Sequence, residues 1–242
     1  MSAGNGNGHD QDSRLPSRSP LDWVRLQGAQ VPAREWALEH WLPRHHASLL
    51  AGRGGIGKTL AAQHLGTAMA LGKPWVDVIE RPLTVLLWAG EDDAHELWRR
   101  QIGICGHFGV ELAALEDRFY VQSYESVDIT LAHQAYGLLQ PTLMMAELTA
   151  QIHDWDVDYV FLDNIARIYG GNENDRHQVT QFLSWLTAAC APAGVCLLGH
   201  PSKGAGSEYS GSTAWEGAVR ARLYLSDRLP DQPVDPDEPP DD

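Results

Sequence analysis

Short, mostly apolar runs alternate along the chain with longer stretches in which apolar residues recur at helical spacing. Residues 47–51, 84–89, 118–121, 159–162, 194–199 and 221–225 are runs of the first kind and read as strands, most of them buried on both faces. Residues 60–71, 92–107, a segment from Pro141 to about Ile152, and residues 179–191 read as helices, with Pro74 closing the first and Pro141 opening the third. Strand followed by helix, repeated, predicts an α/β fold with a mostly parallel central sheet and helices on both faces. In such sheets ligands gather at the carboxyl ends of the strands. Polar residues at those ends are therefore the candidates for chemistry.

One of them stands out. The strand at 47–51 runs into Gly52-Arg53-Gly54-Gly55-Ile56-Gly57-Lys58-Thr59, which fits G-x-x-x-x-G-K-[ST], a phosphate-binding loop. Its glycines let successive backbone N–H groups curl around an anion. Lys58 supplies a mobile positive charge for the outer phosphates of a nucleoside triphosphate, and the Thr59 hydroxyl is a ligand for Mg²⁺. The helix entered at Leu60 aims its positive end at the same phosphates, so residues 52–60 form one expected ATP-binding stretch.

Further strand ends extend the site. Asp163 ends an apolar run and is expected to hold Mg²⁺ beside Thr59. Asn164 follows, where many related ATPases carry a catalytic Glu, so the base must come from elsewhere. Glu91, in Trp88-Ala89-Gly90-Glu91-Asp92-Asp93, reads either as the group that polarises the attacking water or as a solvated acid at a helix N-terminus; Asp92 and Asp93 fit the second reading too. His200 reads either as a γ-phosphate contact or as a core histidine. Arg220 and Arg222 share one side of the last strand, suited to a phosphate clamp on a neighbouring subunit or to surface ion pairs.

Composition narrows the setting. The 242 residues suffice for one domain with a real core, and the 43% hydrophobic content excludes wholesale disorder. No apolar run is long enough to span a bilayer, and the polar N-terminus does not read as a signal peptide. Cys105, Cys190 and Cys196 form no C-x-x-C and read as buried thiols of a reducing compartment, which makes the cytoplasm the expected location. Net charge is −14, and between Ser226 and Asp242 seven acids face one arginine. This argues against a broad basic surface for duplex DNA, though not against a narrow basic pore built from several subunits. The expected organisation is a disordered segment at 1–20, one ATPase domain at 21–226 and an acidic, proline-rich disordered tail at 227–242. The tail reads as a solvating segment or as an autoinhibitory mimic of nucleic acid.

Taken together, Arg34-Glu35-Trp36, the phosphate loop, the segment 88–100 with Arg99-Arg100, Asp163 with Gly171-Asn172-Glu173-Asn174-Asp175-Arg176, His200-Pro201-Ser202-Lys203, and the segment 211–225 resemble the RepA-like ATPases of plasmids and phages. These belong to the RecA/DnaB/KaiC superfamily of ring-forming P-loop ATPases. The resemblance covers about residues 30–226. It implies a RecA-like fold, ATP and Mg²⁺ as ligands, and a role as DNA helicase or replication motor. It places the catalytic Glu on Glu91, the strand-end His on His200 and the trans-acting arginine on Arg220 or Arg222. It further implies a homo-oligomer, as a hexameric ring, that threads single-stranded DNA through loops near residues 169–176 and 203–211, with replication proteins as partners and no membrane. A regulatory ATPase of the KaiC kind, or a truncated nucleotide-binding paralogue, is the alternative. Related chains continue past the last motif strand, whereas this one turns acidic at Ser226.

Overall fold

The computed structural model describes residues 20–199 and 213–227. The chain divides into two compact units, residues 1–34 and 35–242. The first contains one short helix, α1 (Trp23–Leu26), capped by the Asp22 carboxylate and carrying no buried residue.

The second unit opens with an antiparallel hairpin, β1 (Trp36–Leu38) and β2 (Leu42–Pro43). Then come β3 (Ala47–Ala51), α2 (Lys58–Leu71), β4 (Val85–Ala89), α3 (Ala94–Phe108), a 3₁₀ turn (Leu112–Leu115) and β5 (Phe119–Ser123). A second hairpin follows, β6 (Ala132–Ala135) and β7 (Leu138–Pro141), then α4 (Leu143–Asp154), β8 (Tyr159–Asp163), α5 (Ile165–Ile168) and β9 (Tyr169–Gly170). The remaining elements are α6 (Arg176–Cys190), β10 (Gly194–Gly199), α7 (Thr213–Ala218) and β11 (Ala221–Tyr224).

Six strands form one sheet in the order β11-β3-β10-β8-β4-β5, parallel at every pairing. The expected α/β fold with a parallel sheet is the observed one. Because β10 lies between β3 and β8, the phosphate-loop strand and the Asp163 strand are not neighbours, which leaves space between their carboxyl ends. The apolar runs are continuous because successive residues enter opposite core layers. Leu86, Trp88, Val160, Leu162, Val195 and Leu197 pack with residues of α4 and α6 on one face. Val85, Leu87, Tyr159, Phe161, Cys196 and Leu198 pack with α2 on the other. Removing both faces of each strand from water is the main favourable term in this architecture.

Several boundaries differ from the sequence expectation, each for a local reason. Helix α2 begins at Lys58 rather than Leu60, since left-handed Gly57 (φ 95°) turns the loop directly into it. Pro141 ends β7 instead of opening a helix. Thr142 caps α4, its hydroxyl accepting from the Met144 N–H at 3.1 Å. Helix α6 starts at Arg176, three residues before the expected Val179, because the Asp175 carboxylate accepts the N–H groups of His177 and Gln178. Hairpin β6–β7 pairs with β9 in a small separate sheet that the apolar pattern does not announce. The three cysteines are buried and unpaired, and burial pushes the Cys190 and Cys196 thiols up to about 12. Among the described residues no helix is long and apolar enough to cross a membrane.

Candidate active site

The loop after β3 bends through left-handed Gly55 (φ 71°) and Gly57 (φ 95°), conformations that disfavour any residue with a Cβ. Gly52 is fixed for another reason: a Cβ there would lie 2.8 Å from the Leu225 carbonyl oxygen. Lys58 is buried and its Nζ donates to the carbonyls of Gly52 at 2.9 Å and Arg53 at 3.0 Å. Burial lowers the pKa of this ammonium, while the carboxylates of Asp163 and Glu91 oppose the shift. Gly54, Gly55 and the Arg53 side chain face solvent, and Arg53 pairs with Asp227. Leu60 lies half-exposed in the first turn of α2.

Thr59 and Asp163, 104 residues apart, meet at the carboxyl edge of the sheet, where Thr59 Oγ1 donates to Asp163 Oδ2 at 2.5 Å. Asp163 is only 2% exposed. Its pKa is raised to about 6, chiefly by burial, with Glu91 and Asp92 adding to the rise and Thr59 and Lys58 opposing it. A hydroxyl and a poorly solvated carboxylate side by side are hard oxygen donors, which fits Mg²⁺ in kind.

The turn after β4 separates three adjacent acids by partner. Gly90 presses against β8: its N–H donates to the Asp163 carbonyl at 2.6 Å, and a Cβ would lie 2.7 Å from that oxygen. The chain therefore leaves β4 alongside Asp163. Glu91 Oε1 accepts from Asn164 Nδ2 at 2.5 Å. Asp92 takes both terminal nitrogens of Arg100, at 2.6 and 3.0 Å. Asp93 caps α3, accepting from the N–H groups of His95 and Glu96. The helix-terminus role open to all three acids thus belongs to Asp93, and Glu91 is the one held beside Asp163.

Not all expected site residues gather here. Arg222 is exposed on edge strand β11, which pairs with β3 only, and Arg220 is exposed just before that strand. Arg222 Nη1 lies 3.6 Å from Glu216 Oε2, whereas the Arg220 guanidinium has no ion pair among the described residues. Tyr169, expected at the start of a mobile pore loop, is instead buried in β9 and packs on Phe182 and Trp215. His200 and the segment 203–211 lie outside the described residues. Sequence reasoning noted Asn164 as an absence, not as the partner of Glu91. It missed the Asp92–Arg100 pair, for which the sequence carries no spacing signal, because Asp92 precedes α3 and the two residues are eight apart.

A glycine loop curled at a helix N-terminus, a buried lysine within it and a Thr–Asp pair across the sheet define a P-loop nucleotide-binding fold. The comparison with known families agrees: the AAA domain family matches residues 11–206. The chain belongs to that family, and is an ATPase of the P-loop type, a class that generally binds ATP with Mg²⁺. No curated protein matches it.

Proposed function

We propose that this chain hydrolyses ATP with Glu91 as the base, and works as a RecA-like motor on DNA, as a helicase or replication ATPase of a mobile element. The observation that carries the hydrolytic part is the partition of acids after β4, which leaves Glu91 on Asn164 beside the Thr59–Asp163 pair. Lys58 exchanges its carbonyl partners, Gly52 and Arg53, for the β- and γ-phosphates. Thr59 and Asp163 would hold Mg²⁺, which when bound offsets phosphate charge. The Glu91 carboxylate orients the attacking water and takes its proton, while Asn164 fixes the carboxylate's direction. Arg220 is the better candidate than Arg222 for a group acting on a neighbouring copy's phosphates, because Arg222 already has Glu216.

The DNA role rests on the family resemblance. A second reading, a regulatory ATPase that switches a protein partner, is favoured by the segment between Tyr169 and Arg176. With Tyr169 buried and Asp175 capping α6, its charged residues before Arg176 are the acids Glu173 and Asp175. A surface of that sign repels a phosphate backbone. ATP turnover with and without single-stranded DNA at low salt separates the two. Stimulation supports the motor; turnover indifferent to DNA supports the regulatory reading. Nucleotide binding that survives Lys58→Ala undiminished would refute the site itself.

A further inference from the structure

Arg167 stands in α5, the short helix that follows Asp163 and Asn164, and is half-buried. Its guanidinium gathers the carbonyls of the turn that leaves β5. Nη2 donates to the carbonyls of Tyr124 at 3.2 Å, Glu125 at 3.4 Å and Val127 at 2.9 Å, and Nη1 reaches the Glu125 carbonyl at 3.5 Å. Among the described residues every hydrogen bond of this guanidinium goes to a main-chain carbonyl and none to a carboxylate. An arginine at the surface usually keeps its charge in water. This one uses it to hold a turn, and without it the Glu125 and Val127 oxygens lose a charged donor.

Three routes lead from Arg167 to Glu91. The side-chain stem lies against Gly90, where a Cβ would fall 3.3 Å from Arg167 Cγ. The turn that the guanidinium holds is itself hung on β4, because the Tyr124 N–H donates to the Ala89 carbonyl at 2.8 Å. The Arg167 main-chain N–H donates to Asn164 Oδ1 at 3.2 Å. That last bond decides which way the buried Asn164 amide points. With Oδ1 occupied on α5, Nδ2 is the end left for Glu91, and it donates to Glu91 Oε1 at 2.5 Å. One residue thus grips residues 89–91 from the β5 side and from the β8 side. An apolar side chain of the same length would keep the contact with Gly90 and lose the turn. A lysine would keep the charge but not the planar fork that reaches several carbonyls at once.

We propose that Arg167 is a positioning residue for ATP hydrolysis: without touching nucleotide, it sets where the Glu91 carboxylate lies beside the Thr59–Asp163 pair. This rests on the reading of Glu91 as the base. A base and the water it orients must meet closely, and a displacement of about 1 Å costs on the order of a hundredfold in rate. The phosphate loop is carried by β3, which β10 separates from β8. Lys58 and the loop glycines therefore keep their geometry when Arg167 is changed, and nucleotide binding is spared.

The test is Arg167→Met in the full-length chain, which keeps the stem and removes the guanidinium. Phosphate release at saturating ATP should fall about thirtyfold, while the dissociation constant of a fluorescent ATP analogue stays within about twofold. Arg167→Lys should recover part of the rate, leaving a loss of about fivefold. Placed on Glu91→Gln, where no base is left to position, Arg167→Met should change the residual turnover by less than about twofold. If Arg167→Met does not fold, Arg167→Lys carries both comparisons. The proposal is overturned if nucleotide binding falls as far as turnover, or if the change costs as much on Glu91→Gln as on the wild type. A slow Glu91→Gln beside an Arg167→Met of normal turnover removes the positioning role and leaves the base in place. Near-normal turnover in Glu91→Gln removes the base, and the positioning role with it.

Discussion

The turn after β4 and the entry into edge strand β11 both present consecutive or near-consecutive charges, yet the fold treats them oppositely. Glu91, Asp92 and Asp93 are assigned to separate partners by hydrogen bonds of 2.5–3.0 Å. The side chains of Arg220, just before β11, and Arg222, within it, face solvent, and among the described residues the 3.6 Å contact of Arg222 with Glu216 is the one ion pair either makes. Groups that act within their own chain are held by it. Groups that act on another molecule must be left reachable, and an exposed arginine at the entry to an edge strand meets that requirement. The difference divides a proposed hydrolytic site into a self-contained half and a half completed by a second copy.

The sharpest way to break that division is Arg220→Ala. If Arg220 completes a neighbour's site, ATP binding stays normal and turnover falls about a thousandfold. Mixing Arg220→Ala with Glu91→Gln then restores part of the activity, measured by phosphate release across mixing ratios. A co-assembled mixture with no recovery would return Arg220 to the role of a surface cation. Next in size is Glu91→Gln alone, expected to bind ATP and lose roughly a hundredfold in turnover. Turnover close to normal would move the base to Asp92.

Asp163 offers a test on the self-contained half. Burial raises its pKa to about 6, so the folded chain keeps a proton that the unfolded chain releases near 4. Relative to Asp163→Asn, the wild type should therefore lose stability as pH rises from the ordinary carboxyl range through about 6, by about 3 kcal/mol at most. The sign is opposite to that of a carboxylate held by an ion pair, such as Asp158 beneath Arg81 and Arg44, whose pKa is lowered. Thermal unfolding of both proteins across pH measures it, and Mg²⁺ should restore part of the loss above pH 6. The smallest effect belongs to Asp93→Ala, which removes a helix cap: about 1 kcal/mol of stability by denaturant titration, with turnover unchanged.

Much of this was legible before any coordinates. The phosphate loop announces itself because an anion site made of backbone N–H groups needs glycines at fixed spacing. The four inner strands β3, β4, β8 and β10 are legible because a doubly covered sheet demands unbroken apolar runs. Hairpin β6–β7 escaped because its strands are half polar, with His133, Gln134 and Gln140 interrupting any pattern. The sorting of Glu91 from Asp92 and Asp93 also lay beyond the sequence. It depends on Gly90 lying flat against Asp163 and on Arg100 coming round two turns of α3, and neither is a property of neighbours along the chain.

The pairing of Arg53 with Asp227 has a consequence for how the phosphate loop answers to ionic strength. An arriving polyanion meets a loop in which one cation already has an internal counterion, so part of its binding free energy goes into separating that pair. Dissolved salt weakens the half-exposed internal pair as it screens the incoming charge. The two effects oppose each other, and the apparent affinity for a triphosphate should fall less steeply with salt than in Asp227→Asn, where that ion pair is absent.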